Sequence, residues 1–347
     1  MNRARARLLA AAALMSVVAL AAACSSSPAA TSSGGSGGSG GSAVTNLSVE
    51  LDWVPNPDHV GIYYAQSKGY FPREHLNVSL RTPSNAADPI KLVGLNKVDL
   101  AVSYESEMFF GLQEGLPVTA VATIIPVPLN SLIVTPKDHV TRLAQMKGKK
   151  IGITGIPSDT AIYTTFLKAA GLKAAQVPTV NVGFNLVPSL LAGKVDGIIG
   201  GYRNVEAIQI AQEAGQKPAV FPASALGVPS YAELVLVANR NRLATDKSYA
   251  KAVREFVKAL VDGTKAAIAD PSGTTTIMQQ VSQYKPQFLQ ASVPFTLKLI
   301  AMGGQKPGCI DEAAWQSFGN WMKTNKLIHV TPDAARISTD KYLPYSC

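Results

Sequence analysis

Two stretches of the chain repeat one arrangement. "KLVGLNKVDLAVSY" runs from Lys91 to Tyr104, and "SLLAGKVDGIIGGY" runs from Ser189 to Tyr202. Each has an apolar helix end, a Gly, then Lys-Val-Asp, an apolar strand and a Tyr. The match is too short to be a sequence repeat, but it predicts the same element in two similar α/β lobes. The flanking sequence agrees. "LSVELDW" alternates like a strand, "HVGIYYAQSKGYF" reads as a helix ended by Gly69, "LNVSLRT" as a strand and "ADPIKLVGLN" as a helix. Strand–helix alternation argues for parallel α/β units. Ligands of open parallel sheets gather beyond the carboxyl ends of the strands. Tyr104 and Tyr202 are expected at two such ends, facing one cleft.

The lobe boundaries follow from two apolar segments. "VTAVATIIPVPLNSLIVTP", interrupted by Pro126 and Pro128, reads as a crossing from one lobe to the other. "GKKIGITGIPSDT" then opens the second lobe with a strand, a Gly-rich turn, and Ser158 or Asp159 as a helix cap. The free N–H groups of such a helix start suit a ligand's acceptors. "YAELVLVANRN" reads as the return crossing, followed by an amphipathic helix with Val253, Phe256, Val257 and Leu260 on one face. The expected layout is 47–130 for the first part of lobe 1, 131–232 for lobe 2, and 233–347 for the rest of lobe 1 with its C-terminal helices. Two crossings make a hinge, with closure as the expected motion.

The amino terminus reads as an export signal. Arg3, Arg5 and Arg7 precede an apolar segment from Leu8 to Ala23. It is shorter than the about 20 residues of a membrane-spanning helix, and small residues end it. They stop at Cys24 in "LAAAC", which resembles a bacterial lipobox with Cys24 as the lipidated residue. Residues 1–23 are therefore expected to be a signal peptide and 24–46 a Gly/Ser-rich tether. An ordinary secreted protein with a chance Cys is the alternative.

The formal charge is +9, from 32 basic and 23 acidic residues, and three of the basic ones lie in the signal. The charges are scattered, which suits a solvated surface rather than a nucleic-acid partner. Cys309 and Cys347 are expected to form a disulfide in an exported compartment, with two free thiols as the alternative. The bridge would contribute about 4 kcal/mol in the chain-entropy view.

No nucleophile elbow, phosphate loop or His-Glu-x-x-His is present, and the four His lack metal-ligand spacing. Nothing in the residues asks for catalysis, a metal or a cofactor.

"LDWVPNPDHVGIYYAQSKGYF" (51–71) closely resembles the opening of bacterial ABC-importer solute-binding proteins of the ThiY type, which take thiamine pyrimidine precursors. The resemblance continues through "GKKIGITGIPSD" and "VNVGFNLVPSLLAGKVDGIIGGYRNVEAIQI". It covers roughly Leu47 to Lys265 and departs at Arg203 and Val205, where the family often has Trp and His. It implies a two-lobed periplasmic-binding-protein (type II, Venus-flytrap) fold and a small-molecule pyrimidine ligand. ABC permease and ATPase subunits are the implied partners of a lipid-anchored monomer. The same fold also serves eukaryotic pyrimidine synthases, but the Lys and His they carry after the first Val-Asp are missing from "VDLAVSYESEMFF".

A flat aromatic ligand explains the residue types of the opening. Trp53 would cover one ring face, and Tyr104 or Tyr202 the other. Asn56 would bond the ring edge, and Glu105 or Glu206 an exocyclic amine. His59 would bond the ligand or a loop carbonyl. Gly155, Pro157 and Ser158 would bring the helix N-terminus, and Phe184 and Asn185 another strand end. Glu233 reads as a hinge salt bridge. Another flat heterocycle, such as riboflavin or a nucleobase, is an alternative ligand. A sulfonate is a further one, and Arg203 argues for it.

Overall fold

The computed structural model describes residues 43–302 and 304–347. The expected signal, the expected lipidation site at Cys24 and most of the expected tether lie outside the described residues.

Among the described residues, ten strands form two mixed sheets. The first contains β1 (Thr45–Glu50), β2 (Leu76–Arg81), β3 (Leu100–Ser103), β4 (Val118–Ile125) and β10 (Leu234–Asn239). Its order is β2-β1-β3-β10-β4. The second contains β5 (Asn130–Val134), β6 (Ile151–Ile153), β7 (Thr179–Asn181), β8 (Gly197–Tyr202) and β9 (Ala219–Pro222), in the order β7-β6-β8-β5-β9. In each sheet three parallel strands are joined by an antiparallel pair.

The two echo strands, β3 and β8, hold the same central place in their sheets. Each is paired on one side with a parallel strand and on the other with an antiparallel one that has just crossed between sheets. β3, β4 and β10 are buried at every residue. Their continuous apolar runs reflect cover on both faces, where an exposed face would have required alternation. The pattern is the two-lobed periplasmic-binding-protein fold.

The helix Lys247–Ala269 backs the first sheet, with Val253, Phe256, Val257 and Leu260 buried. It approaches the helix Val60–Ser67 closely because its contact residue is Gly263. A Cβ there would stand 2.7 Å from Ala65 Cβ and 2.9 Å from the Gly61 carbonyl oxygen. The helix Glu312–Thr324 packs Trp315 and Phe318 on Phe109. The Sγ atoms of Cys309 and Cys347 are bonded, and the bridge spans a sequence separation of 38. Among the described residues no helix is long and apolar enough to cross a membrane.

The expected cap of the second-lobe helix is corrected. The helix Pro157–Ala170 starts with Pro at its first position, and Ile156 stands at the cap. The Asp159 carboxylate instead accepts from Thr154 N–H and Oγ1, both at 2.6 Å. The fixed φ of Pro157 suits a first helical position, so the helix begins before either candidate cap.

Gly263→Ala is expected to destabilise the protein by about 1–3 kcal/mol, because the added methyl overpacks a helix contact that cannot part locally. A urea denaturation midpoint checks this. An unchanged or raised midpoint would contradict the packing described.

Candidate functional site

A small cavity lies between the carboxyl ends of the two sheets. The first lobe contributes Asp52, Trp53, Asn56 and Tyr104 to its wall. The second contributes Asn130, Thr154, Ile156, Ser158, Gly200, Tyr202, Val205 and Glu206, with Glu233 from the return crossing. It leaves about 20 Å³, room for about one water. Small-molecule sites begin at roughly 300 Å³. The cleft is thus closed on itself.

Phe184, Ser158 and Asn204 of the second lobe each touch the first lobe around it. Trp53 meets Phe184 edge-on, with ring centroids 4.4 Å apart. Ser158 N–H donates to Glu107 Oε1 at 3.0 Å. Asn204 Nδ2 donates to Asp58 Oδ1 at 2.6 Å and to Thr296 Oγ1 at 2.8 Å.

The loop from Asp52 to His59 owes its shape to side chains bonding backbone. Asn56 Oδ1 accepts Asp58 N–H at 2.7 Å. His59 Nδ1 accepts Asn56 N–H at 3.3 Å, which leaves Nε2–H to donate to Asp52 Oδ1 at 2.7 Å. Tyr104 O–H donates to Asp52 Oδ2 at 3.1 Å. Since Asn56 Oδ1 is engaged, what Asn56 can offer the cavity is its pair of amide N–H groups.

The second-lobe wall is tied in the same way. Glu206 Oε2 accepts Tyr202 N–H at 2.7 Å. Glu233 Oε2 accepts Leu129 N–H at 2.7 Å, Asn130 N–H at 2.9 Å and Tyr231 O–H at 3.0 Å. Among the described residues Glu233 forms no hinge salt bridge. Its carboxylate serves backbone N–H groups of the first crossing.

Of the twelve residues proposed from the sequence, the structure brings six to the cavity wall: Trp53, Asn56, Tyr104, Ser158, Tyr202 and Glu206. His59 is fully buried behind Asp52, because both its ring nitrogens are used inside the loop. Glu105 opens the helix Glu105–Gln113 and turns away from the cleft to accept Ala232 N–H at 2.6 Å. Gly155, with φ at +95°, supplies the turn before the helix, and Pro157 its first position. Phe184 stands behind Trp53, and Asn185 precedes the helix Leu186–Leu191. Arg203 does not reach the wall either.

Asp52, Asn130, Thr154, Ile156, Gly200 and Val205 also line the wall without being candidates from the sequence, as does Glu233, for which the sequence suggests a hinge salt bridge. Asp52 sits beside Trp53 in the opening motif. Asn130 and Glu233 both follow a crossing, a position that would have pointed to them.

The cavity wall contains three carboxyl side chains and no Lys or Arg. Burial pushes Glu206 up to about 7, with the Asp52 charge adding to it. Burial also lifts Asp159, beneath Gly200, and Glu107, at the lobe contact, to about 7 each. Burial raises Glu233 as well, against the hydrogen bonds it accepts. Such a site disfavours an anion and favours a ligand that supplies N–H donors. Among the described residues no group of three His, Cys, Asp or Glu could hold a metal ion.

The family described as NMT1/THI5 like matches residues 56–274. A Haemophilus influenzae protein named for thiamine biosynthesis is 38% identical over 82% of this chain and 89% of its own length. The formylaminopyrimidine-binding protein of Halalkalibacterium halodurans is 29% identical over 86% of this chain and 92% of its own. A Saccharomyces cerevisiae 4-amino-5-hydroxymethyl-2-methylpyrimidine phosphate synthase is 28% identical over 68% of this chain and 70% of its own. Among solved structures, the periplasmic aliphatic sulphonate binding protein of Escherichia coli superposes with a TM-score of 0.62 at 13% identity, covering 84% of this chain and 91% of that one.

The raised carboxyls set a pH dependence. Each binds its proton more tightly in the folded than in the unfolded chain, so its contribution is complete below the unfolded value near 4. That contribution is lost as pH rises through about 7. The melting temperature of the unliganded protein is expected to fall between pH 5 and pH 8, and to fall less in Glu107→Gln. A flat or rising profile in scanning calorimetry would contradict this.

Proposed function

The chain belongs to the NMT1/THI5-like family, and from that premise we propose that it is the solute-binding component of an ABC importer. In this reading it holds a thiamine-related pyrimidine, of the formylaminopyrimidine or hydroxymethylpyrimidine type, between its lobes and delivers it to a permease. It does no chemistry on the ligand. It is exported, anchored through lipid on Cys24, and acts as a monomer.

The observation that carries this reading is the composition of the cavity wall: carboxyl groups and aromatic rings from both lobes, with no basic side chain. A 4-aminopyrimidine supplies what that wall lacks. Its exocyclic amine donates to Glu206, whose second oxygen the Tyr202 N–H leaves free. Asn56 amide N–H groups meet a ring nitrogen. Trp53 covers a ring face once it parts from Phe184. A sulfonate would have to sit among carboxylates without a counter-charge, which is costly in a buried site.

The closed cleft explains how capture would work. Entry requires the Trp53–Phe184 and Ser158–Glu107 contacts to open. The bound ring then replaces the edge contact with a stacked one, and the lobes reclose on it. A permease would recognise the reclosed form. The relatedness to fungal synthases does not extend to chemistry in this reading, because "VDLAVSYESEMFF" carries neither Lys nor His.

Melting with and without ligand tests the proposal. A pyrimidine at a hundred times its Kd should add about 2.7 kcal/mol and raise the melting temperature by a few degrees. We expect hydroxymethylpyrimidine or formylaminopyrimidine to do so. The shift should vanish in Trp53→Ala and shrink in Glu206→Gln. A shift with taurine or nitrate and none with either pyrimidine would overturn the reading.

A further inference from the structure

Glu105 is the one acidic candidate from the sequence that the cleft does not use, and it faces a second cavity. That cavity has a volume of about 270 Å³ and shares no wall residue with the first. Both crossings contribute to it, through Val127 and Ala232 among others. Tyr231, Trp315 and Asp311 complete the part that matters here.

The polar groups of this wall are incompletely paired. Glu105 is 1% exposed. Its Oε2 accepts Ala232 N–H at 2.6 Å, while Oε1 is buried with no hydrogen-bond partner among the described residues. A buried carboxyl oxygen without a donor is destabilising, so a site that keeps one has a reason to receive a donor. Asp311 shares the wall and adds a second carboxylate. Its Oδ1 caps the following helix through Ala314 N–H at 2.9 Å. Tyr231 and Trp315 supply aromatic surface, which attracts cations as well as alkyl groups.

We propose that this cavity is a second binding site, for a small organic ammonium ion, with its N–H donors on Glu105 and its alkyl body against Tyr231 and Trp315. A bare metal ion fits less well, since no group of three suitable ligands exists among the described residues. Electrostatics points the same way. Burial holds the Glu105 carboxyl well above the usual carboxylate range, and the charges of Asp311 and Glu233 push it further. A cation beside Oε1 relieves both effects. The inference is independent of what the cleft binds.

The probe is n-butylammonium, titrated calorimetrically into the full chain at pH 7, with 1-butanol and butyrate as controls of similar size. The expected result is saturable, one-to-one binding of the ammonium alone, in the millimolar range or tighter. Glu105→Gln and Asp311→Asn should each weaken it at least tenfold. Asn caps a helix as well as Asp does, so the second variant stays folded if the first does not. Trp53→Ala should leave the binding unchanged. Absence of saturable heat overturns the proposal. So does butanol binding equally well, or loss of the signal in Trp53→Ala, which would put the amine in the cleft.

Discussion

One carboxylate oxygen joins the two chain crossings. Glu233 Oε2, at the start of the return crossing strand, accepts the N–H groups of Leu129 and Asn130, where the outgoing chain enters β5. Tyr231 donates a third hydrogen bond to the same atom. Glu233 itself lines the cleft. β10 runs on from it into the first sheet and β5 into the second, each as the antiparallel neighbour of an echo strand. The tie is buried, so its donors have no water to fall back on.

The same burial gives the cleft its chemical character. Asp52, Glu206 and Glu233 line it, and Asp58 and Asp159 lie close behind. Each accepts hydrogen bonds from backbone or side chains, yet burial raises Glu206 and Asp159 to about 7 and lifts Asp58 and Glu233 as well. The hydrogen bonds therefore offset only part of the desolvation. A ligand with several N–H donors completes what the protein leaves undone, whereas an anion adds to the repulsion. On the proposed reading this sets the cleft apart from one that holds a sulfonate, although the fold is shared with a sulphonate-binding protein.

The architecture was readable because its signals are local. Lys-Val-Asp followed by an apolar run marks β3 and β8, and their shared place in the two sheets matches the echo. The unbroken apolar run of β10 marks a strand covered on both faces. The wall was only half readable, because side-chain direction depends on partners distant in sequence. Glu105 follows Tyr104 directly, yet it turns to Ala232 while Tyr104 turns to Asp52. His59 looks available in the motif, but the loop consumes both its nitrogens. Phe184 meets Trp53 from the other lobe, a contact that no spacing encodes.

The central claim is that an acidic, aromatic cleft selects a donor-rich flat ring over an anion. Isothermal calorimetry of the full chain with hydroxymethylpyrimidine, beside an identical titration with taurine, tests it most directly. The account predicts saturable one-to-one heat for the pyrimidine and none for taurine. Saturable binding of taurine with no response to the pyrimidine would contradict it.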